Sequence, residues 1–530
     1  MSEDAATGQG RPAINPWLVA PLVALAAFME VLDISIANVS LQHIAGDLSA
    51  GQDESTWVLT SYLVTNAIIL PLSGWLSSVM GRTRFFLACI IGFSASSLAC
   101  GLAPTLGLLI VFRAIQGLTG GGLQPVSQAI LADAFPPRQR GMAFALYGMA
   151  VVFAPAIGPT LGGWITDEVS WRWVFLLNVP VGIVLTILVT ALLEDPPAFT
   201  AARQERLKRG LKVDYAGLGL LTVGLGLLQV VLDKGEEDDW FSSPLILWLT
   251  IASAVSLIAF VIWELGEEDP IVDLRLLAER NFGMANFLMF LLGFILLGST
   301  VLLPELVQRL FGYTATQAGL VITPGGLSII LIMPVVGRLV SIFDSRHLIA
   351  IGLAITAMAL FRMTSFDLDT DYATFMWARI YQALGLSLLF IPINTAAFLT
   401  VKPEKSSAAS ALINVSRNLG GSFGISLVTT MLSRSSQAHQ TVLVSHATPF
   451  DHAYRRMLDG LVPLFQGQGD TVAEATSKAV AQIYGIIQRE ALMQAFIDDF
   501  RLLGIIFALL VPLVFVMRKG KPHGPGPATH

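Results

Sequence analysis

The amino-acid sequence predicts an all-α integral membrane protein of about fourteen spanning helices, arranged as two six-helix halves with two more helices between them. Three observations predict it. Of 530 residues, 54% are hydrophobic and 13% charged, with a mean hydropathy of +0.68. A soluble domain carries about twice that charge, so the outer face must be dissolved in lipid. The apolar residues gather into runs of spanning length, and the two ends of the chain repeat one another.

A spanning helix takes about 20 largely apolar residues. In chain order the runs lie near 17–41, 56–78, 85–102, 106–132, 141–165, 173–193, 215–232, 244–264, 282–303, 317–337, 348–361, 372–399, 407–430 and 501–517. The third and eleventh are the shortest of the regular set. The segment Met1 to Arg11 is polar and acidic, without the basic region and cleavage site of a signal peptide, so the run from Trp17 is expected to be retained.

Lysines and arginines in short loops orient the bundle. With the N-terminus inside, Arg11, Arg82, Arg84, Arg138, Arg140, Arg203, Arg206, Lys208, Arg209, Lys212, Arg275, Arg280, Arg338, Arg346, Lys402, Lys405, Arg518, Lys519 and Lys521 are cytoplasmic, nineteen in all. Only four, Arg172, Lys234, Arg309 and Arg362, fall in short external loops, so both termini are expected in the cytoplasm. The connection over 433–500 is polar and long enough to be exempt from this rule. Val472, Ala475, Ala479, Ile483, Ile486 and Ile487 recur in it at helical spacing, which predicts an amphipathic helix that caps the protein or docks a periplasmic partner.

Pro71-Leu72-Ser73-Gly74 recurs as Pro334-Val335-Val336-Gly337, offset by 263; Arg113-Ala114-Ile115-Gln116 recurs as Arg379-Ile380-Tyr381-Gln382, offset by 266; Pro125 and Pro392 are offset by 267. The near-equal offsets divide the chain into an N-terminal half over 1–193, a linker with two added helices over 194–280, and a C-terminal half over 281–530. Duplicated halves with a site at their midplane interface are a recurrent transporter plan.

Charge and motif exclude several other classes. No basic stripe suggests nucleic acid, and no Gly-x-x-x-x-Gly-Lys-[Ser/Thr] loop suggests direct use of ATP. Cys89 and Cys100 share one apolar run and give no disulfide framework. His439, His446 and His452 lack the spacing of a metal site, and no nucleophile–base constellation indicates an enzyme.

Several stretches are similar to the fourteen-helix drug:proton antiporters of the major facilitator superfamily. Gly74-Trp75 through Gly81-Arg82, with Arg84, resembles that family's loop between helices two and three, although Ser78 and Val79 stand where the motif usually carries Asp and Arg, leaving its ionic latch without those charges. Arg113-Ala114-Ile115-Gln116-Gly117 resembles its fourth-helix motif, and Gly148, Pro155, Gly158, Pro159, Gly162 and Gly163 its antiporter motif in helix five. Leu32-Asp33 resembles the helix-one motif, which commonly ends in Pro where this chain has Gln42. Trp171-Arg172-Trp173, Asn178-Val179-Pro180, Leu232-Asp233-Lys234-Gly235 and Asp239-Trp240-Phe241-Ser242 continue the likeness, and Gly312-Tyr313-Thr314-Ala315-Thr316 and Leu419-Gly420-Gly421-Ser422 are most similar to EmrB-type subunits. The resemblance implies a major facilitator fold and proton-coupled export of amphipathic drugs or toxic small molecules across the bacterial inner membrane. It also implies a periplasmic adaptor and an outer-membrane channel as partners, and no cofactor beyond the proton gradient.

Carboxylates inside a membrane mark function by default. Glu30 and Asp33 lie three apart on one helical face. A carboxyl group removed from water favours its protonated form and a nearby cation restores the charged one, so such a group loads and releases protons as its surroundings alternate. Asp33 is the favoured coupling carboxylate, with a permanent ion pair to Arg113 as the competing role; Asp33→Asn is expected to abolish coupled export in a folded protein. Glu30 either shares that chemistry or lines the cavity. Asn38, Gln116, Gln128 and Glu305 are candidate cavity residues, and Arg379 and Arg417 are expected to stitch helices. A dedicated exporter of one endogenous metabolite, or a membrane sensor or assembly component, remains the alternative reading.

Overall fold

Punctuation in the sequence sets the helix ends. Asn15 caps the first helix by accepting from the backbone of Trp17, and Pro16 at its start sacrifices no hydrogen bond. Asp214 accepts from Gly217, Glu279 from Phe282 and Asp371 from Thr374 in the same way. Thr314 with Gln317, and Thr471 with Glu474, form reciprocal capping boxes. The computed structural model describes residues 15–517 except 196–198, 201–202, 205–207, 209–212, 268–269 and 400. Arg11, Arg206, Arg209, Lys212, Arg518, Lys519 and Lys521 therefore lie outside the described residues.

The long helices are α1 (Pro16–Val39), α2 (Trp57–Met80), α3 (Arg82–Gly101), α4 (Leu106–Ala134, interrupted at Gly121 and Gly122), α5 (Pro137–Glu168), α6 (Arg172–Leu192), α7 (Tyr215–Lys234), α8 (Pro244–Gly266), α9 (Arg280–Phe311), α10 (Ala315–Ile342), α11 (Ser345–Met363), α12 (Tyr372–Ala397), α13 (Ser406–His446) and α14 (Val472–Leu513). There is no strand among the described residues. Thirteen of these helices are long and apolar enough to cross a membrane. The other, α13, carries Ser406, Ser407, Ser410, Asn414, Ser416, Arg417 and Asn418; it packs between α9, α14 and α2, where protein rather than lipid meets those groups.

In the first half α1 packs on α5 and α4, and α3 on α4 and α6; in the second α9 packs on α13 and α12, and α11 on α12 and α14. The halves meet mainly along α2 against α13 and α5 against α10, with smaller contacts of α4 on α13 and of α5 on α12. Along the α5–α10 seam small residues meet: a Cβ on Gly141 would stand 2.7 Å from the Gly337 carbonyl oxygen, and one on Gly337 2.9 Å from the Ala145 Cβ. The inserted α7 and α8 pack on each other and α7 on α2, where Asp233 accepts from Thr60 and Lys234 donates to Thr56. Trp248, Val255, Ile258 and Ile262 leave α8 facing outward.

Two differences from the sequence reading concern lengths. The third and eleventh spans are longer than 85–102 and 348–361, because Arg82, Arg84 and Arg346 at their starts hide complete helical turns from a hydropathy window. The connection over 433–500 is largely helical: α13 continues to His446, a short helix covers His452–Gln466, and α14 begins at Val472 instead of near 501. Water-exposed turns of the same helices carry polar residues, so hydropathy ends before the helix does. Ala475, Ala479 and Ile483 are buried against this hairpin, whereas Val472 and Ile486 are exposed. His439 Nε2 lies 2.7 Å from Asp498 Oδ2, and Gln440 Nε2 donates to the Tyr484 hydroxyl at 2.6 Å, tying the α13 extension to α14. The end of the bundle bearing Arg82, Arg140 and Lys405 is called the basic end below, and the opposite one the hairpin end.

Candidate functional site

Glu30 and Asp33 are both buried on α1, but they enter different clusters. Asp33 lies inside the first half. Its Oδ2 accepts from Arg113 Nη1 at 2.5 Å, and its Oδ1 from Gln116 Nε2 at 3.0 Å and Asn178 Nδ2 at 2.7 Å. Arg113 also donates from Nε to the Val58 carbonyl at 3.1 Å and from Nη1 to Gln116 Oε1 at 2.8 Å. Its guanidinium lies 4.3 Å from the Tyr62 ring centroid and 5.4 Å from that of Phe175. Asn178 is itself placed by Ser97, which accepts from it at 3.1 Å. Four helices thus hold one buried ion pair, both Asp33 oxygens and Arg113 Nε and Nη1 hydrogen-bonded and Arg113 Nη2 without a partner among the described residues, an arrangement in which removing either charge is costly.

Glu30 lies between the halves. Its Oε1 accepts from Asn66 Nδ2 at 3.0 Å, while its Oε2 has no partner among the described residues. Gln124 lies against the carboxylate and accepts from Arg417 of the second half. Asn418, next to Arg417, donates to Asn66 Oδ1 at 3.4 Å. One turn further along α4, Gln128 Oε1 accepts from Asn414 at 2.7 Å and from Ser410 at 3.2 Å, both on α13. Glu30 Oε2, Gln128 Nε2, Asn414 Oδ1 and Arg417 Nη1 are buried without partners among the described residues. Such groups carry a desolvation cost that marks a place built for something other than stability. The two clusters touch: the Tyr62 hydroxyl, beside Arg113, accepts from Asn66 at 3.4 Å, and Asn66 holds Glu30.

The remaining candidates separate. Asn38 is exposed near the hairpin end of α1. Glu305 pairs with Arg309 one turn on, at 2.9 Å. Arg417 crosses between the halves, whereas Arg379 stays within the second, donating to Gln382 Oε1 at 2.7 Å and Thr300 Oγ1 at 3.2 Å. Gly158 and Gly162 meet Ser35 and Ile36 of α1, where a Cβ on Gly162 would lie 3.1 Å from the Ile36 carbonyl oxygen. Gly148 faces Phe390 and Met333 of the second half, Gly163 faces Thr316, and Pro155 and Pro159 lie inside α5.

At the basic end Gly74 brings α2 against Ala408, a Cβ there standing 3.0 Å from the Ala408 Cα. Gly81, at φ +94°, makes the turn into α3 that a side chain would strain. That turn aims Arg82 at Asp133, on the end of α4, and at Ser407, which accepts at 2.8 Å, and Ser406, also at 2.8 Å. The latch is therefore present, with its acid supplied by α4 instead of by the loop. Arg84 is exposed. Asp133→Asn is expected to loosen this end: with a charge-assisted bond worth about 1.5–3 kcal/mol lost, maleimide labelling of a cysteine introduced at Ala408 should quicken by roughly tenfold or more. An unchanged labelling rate would show that the latch does not hold the end shut.

Sequence reasoning missed Asn66, Gln124, Asp133, Asn414 and Asn418. The amide spacing Gln124–Gln128 and Asn414–Asn418, one turn apart on each helix, was the available signal. It also missed Asp499 of α14, wholly buried with neither carboxylate oxygen hydrogen-bonded among the described residues.

Comparison with known proteins places this geometry. Residues 23–425 match the Major Facilitator Superfamily. The chain is 36% identical to "Multidrug export protein EmrB" of Escherichia coli (strain K12), covering 98% of each chain, and 36% identical to "Fatty acid resistance protein FarB" of Neisseria gonorrhoeae, covering 96% and 97%. The proton:xylose symporter XylE shares its fold, with a TM-score of 0.61 over 96% of this chain and 97% of that one, at 15% identity. Two helical halves joined along α2–α13 and α5–α10, with a buried polar interface between them and relatives that match from end to end, make the chain a multi-pass transporter of the Major Facilitator Superfamily, among its EmrB-type members.

Proposed function

We propose that the chain is a proton-coupled antiporter that exports drugs or other toxic small molecules across the inner membrane, with residues 1–193 and 281–530 as its two halves and 194–280 as the insert. The observation that carries this reading is Glu30: a carboxylate at the interface of the halves, whose Oε1 accepts from Asn66 and whose Oε2 has no partner among the described residues, approached by Arg417 from the other half. Binding that favours one arrangement of the halves shifts the equilibrium between them. A proton on Glu30 weakens its attraction to Arg417 and a substrate competes for the same polar interface, so the two are exchanged. Asp33, held by Arg113, Gln116 and Asn178, keeps α1 and α4 in register and transmits through Tyr62 and Asn66. The membrane potential contributes about 2.3 kcal/mol per charge per 100 mV to such an exchange.

The basic end faces the cytoplasm in this reading, with both termini, and the hairpin end faces the periplasm. There the α13–α14 hairpin suits an adaptor protein that continues the path to an outer-membrane channel. The names of the EmrB and FarB relatives support an exporter of drugs or fatty acids. In everted membrane vesicles energised in the presence of a pH-sensitive dye, adding a substrate is expected to release protons from the lumen. Compounds that bind the purified protein without moving protons would refute coupling and favour a sensor, while a response to a single endogenous compound would favour a dedicated exporter.

A further inference from the structure

The inserted pair α7–α8 lies against the seam of α2 and α13, and that seam changes character along its length. Toward the basic end the two helices meet directly: a Cβ on Gly74 would stand 3.0 Å from the Ala408 Cα, and Asn418 donates to Asn66 Oδ1 at 3.4 Å. Toward the hairpin end both helices bond to the insert. On the first-half side Thr60 donates to Asp233, Lys234 donates to Thr56, and Lys234 Nζ lies 5.9 Å from the Trp57 ring centroid. A Cβ on Gly226 would lie 3.4 Å from Ile68 Cδ1 and 3.7 Å from Val64 Cγ1, so α7 packs on α2 further along as well. On the second-half side Ser422 donates to Gln229 Oε1 at 3.0 Å, and Trp240 Nε1, just past the end of α7, donates to Thr430 Oγ1 at 3.0 Å. Ser253 of α8 donates to the Gly224 carbonyl at 2.8 Å and holds the inserted pair together.

The two sets of contacts differ in kind. Those to α2 include a carboxylate and an ammonium group, and charge-assisted hydrogen bonds are roughly twice as strong as neutral ones. Those to α13 are neutral, and one of them is held under strain. Asp239 at φ +57° and Trp240 at φ +51° both take the left-handed conformation in the turn that brings the indole onto α13. Strained backbone of this kind persists where its surroundings impose it, and it gathers at switch segments. Two halves that rock about a shared interface cannot keep every bond between them. We propose that the insert travels with the first half, and that Gln229 and Trp240 are positioning residues that tie it to α13 in the arrangement with the basic end shut. Rocking the halves breaks Gln229–Ser422 and Trp240–Thr430 and relieves the backbone at Asp239 and Trp240. Asp233 and Lys234 stay on α2 throughout. The tie thus acts at the hairpin end in the same sense as the Arg82–Asp133 latch at the basic end, each favouring the same arrangement.

The test is the rate of maleimide labelling at Ala408→Cys, at the opposite end of the bundle, in the purified full chain in nanodiscs at constant pH without substrate. The native Cys89 and Cys100 are buried, and the chain without the introduced cysteine gives the background. Ser422→Ala/Thr430→Val removes both bonds to α13 with little change of shape. It is expected to quicken labelling by about tenfold, through the loss of two neutral hydrogen bonds that favour the shut basic end. Thr430→Ser keeps the acceptor for Trp240 and should label like the parent. Thr60→Val removes a bond between the insert and the first half, and Ser253→Ala a bond within the insert. Each should leave the rate within about twofold, because contacts kept in both arrangements do not shift the balance between them. An unchanged rate in Ser422→Ala/Thr430→Val would overturn the proposal. So would a quickening of similar size in Thr430→Ser, Thr60→Val or Ser253→Ala, which would make the effect a general loosening. With no substrate or pH gradient present, the outcome does not depend on whether Glu30 carries a proton.

Discussion

Glu30→Gln is expected to yield a folded protein that binds substrate but no longer exchanges it for protons, with the initial rate of pH-driven transport falling by about 100-fold or more, a barrier change of roughly 2.7 kcal/mol. The substitution is nearly isosteric. A glutamine oxygen still accepts from Asn66, so the packing of α1 against α2 is retained. What disappears is the titration and the attraction toward Arg417. Proteoliposomes with an imposed pH gradient measure the rate, and counterflow of labelled substrate at equal pH measures exchange that needs no proton. Loss of pH-driven transport with counterflow preserved is the expected pair of results. Full pH-driven transport by Glu30→Gln would remove the proton from this residue.

Asp33→Asn is expected to act on stability first. Asparagine leaves the Arg113 guanidinium, wholly buried between Tyr62 and Phe175, with neutral partners only. An uncompensated charge at such a site costs about 3–5 kcal/mol. The yield of monodisperse protein and its resistance to thermal or denaturant unfolding should both fall. The double variant Asp33→Asn/Arg113→Gln should recover a large part of the loss, since no charge is then stranded. The cycle also discriminates between the two α1 carboxylates. If Asp33→Asn is as stable as the wild type yet inactive in pH-driven transport, then Asp33 carries the proton and the ion pair is the switch itself.

Much of the architecture was legible because lipid imposes a simple code: long apolar runs are helices, and their ends are marked by arginines such as Arg82 and Arg346. The code fails where a helix leaves the membrane without ending. The outer turns of α13 and α14 are polar on most sides, and only the spacing of Ala475, Ala479 and Ile483 betrayed them. The same failure hid Asp499, two residues before the expected start of its span, among residues assigned to a loop. Within the site, Asp33, Glu30 and Arg113 stood out as charges in apolar runs. Asn66, Gln124 and Asn414 did not, because a neutral amide in a membrane helix is equally at home as a routine interhelical contact. Which charges meet was illegible on other grounds: Glu30 and Arg417 are brought together by the packing of two halves almost four hundred residues apart in sequence, and Asp133 completes the Arg82 latch from a different helix than the loop motif suggests.

The α5–α10 seam has a mechanical consequence. Helices that interdigitate large side chains are geared, and to roll one over the other each ridge must be lifted from its groove. Near Gly141, Ala145 and Gly337 the backbones touch almost directly, with no long side chain standing between them. Such a contact works as a plain bearing: it keeps the axes close while offering little friction to rotation about them. The resistance to motion then resides at the ends, in the Arg82–Asp133 latch and in whatever occupies the polar interface, rather than in repacking of the pivot near these small residues.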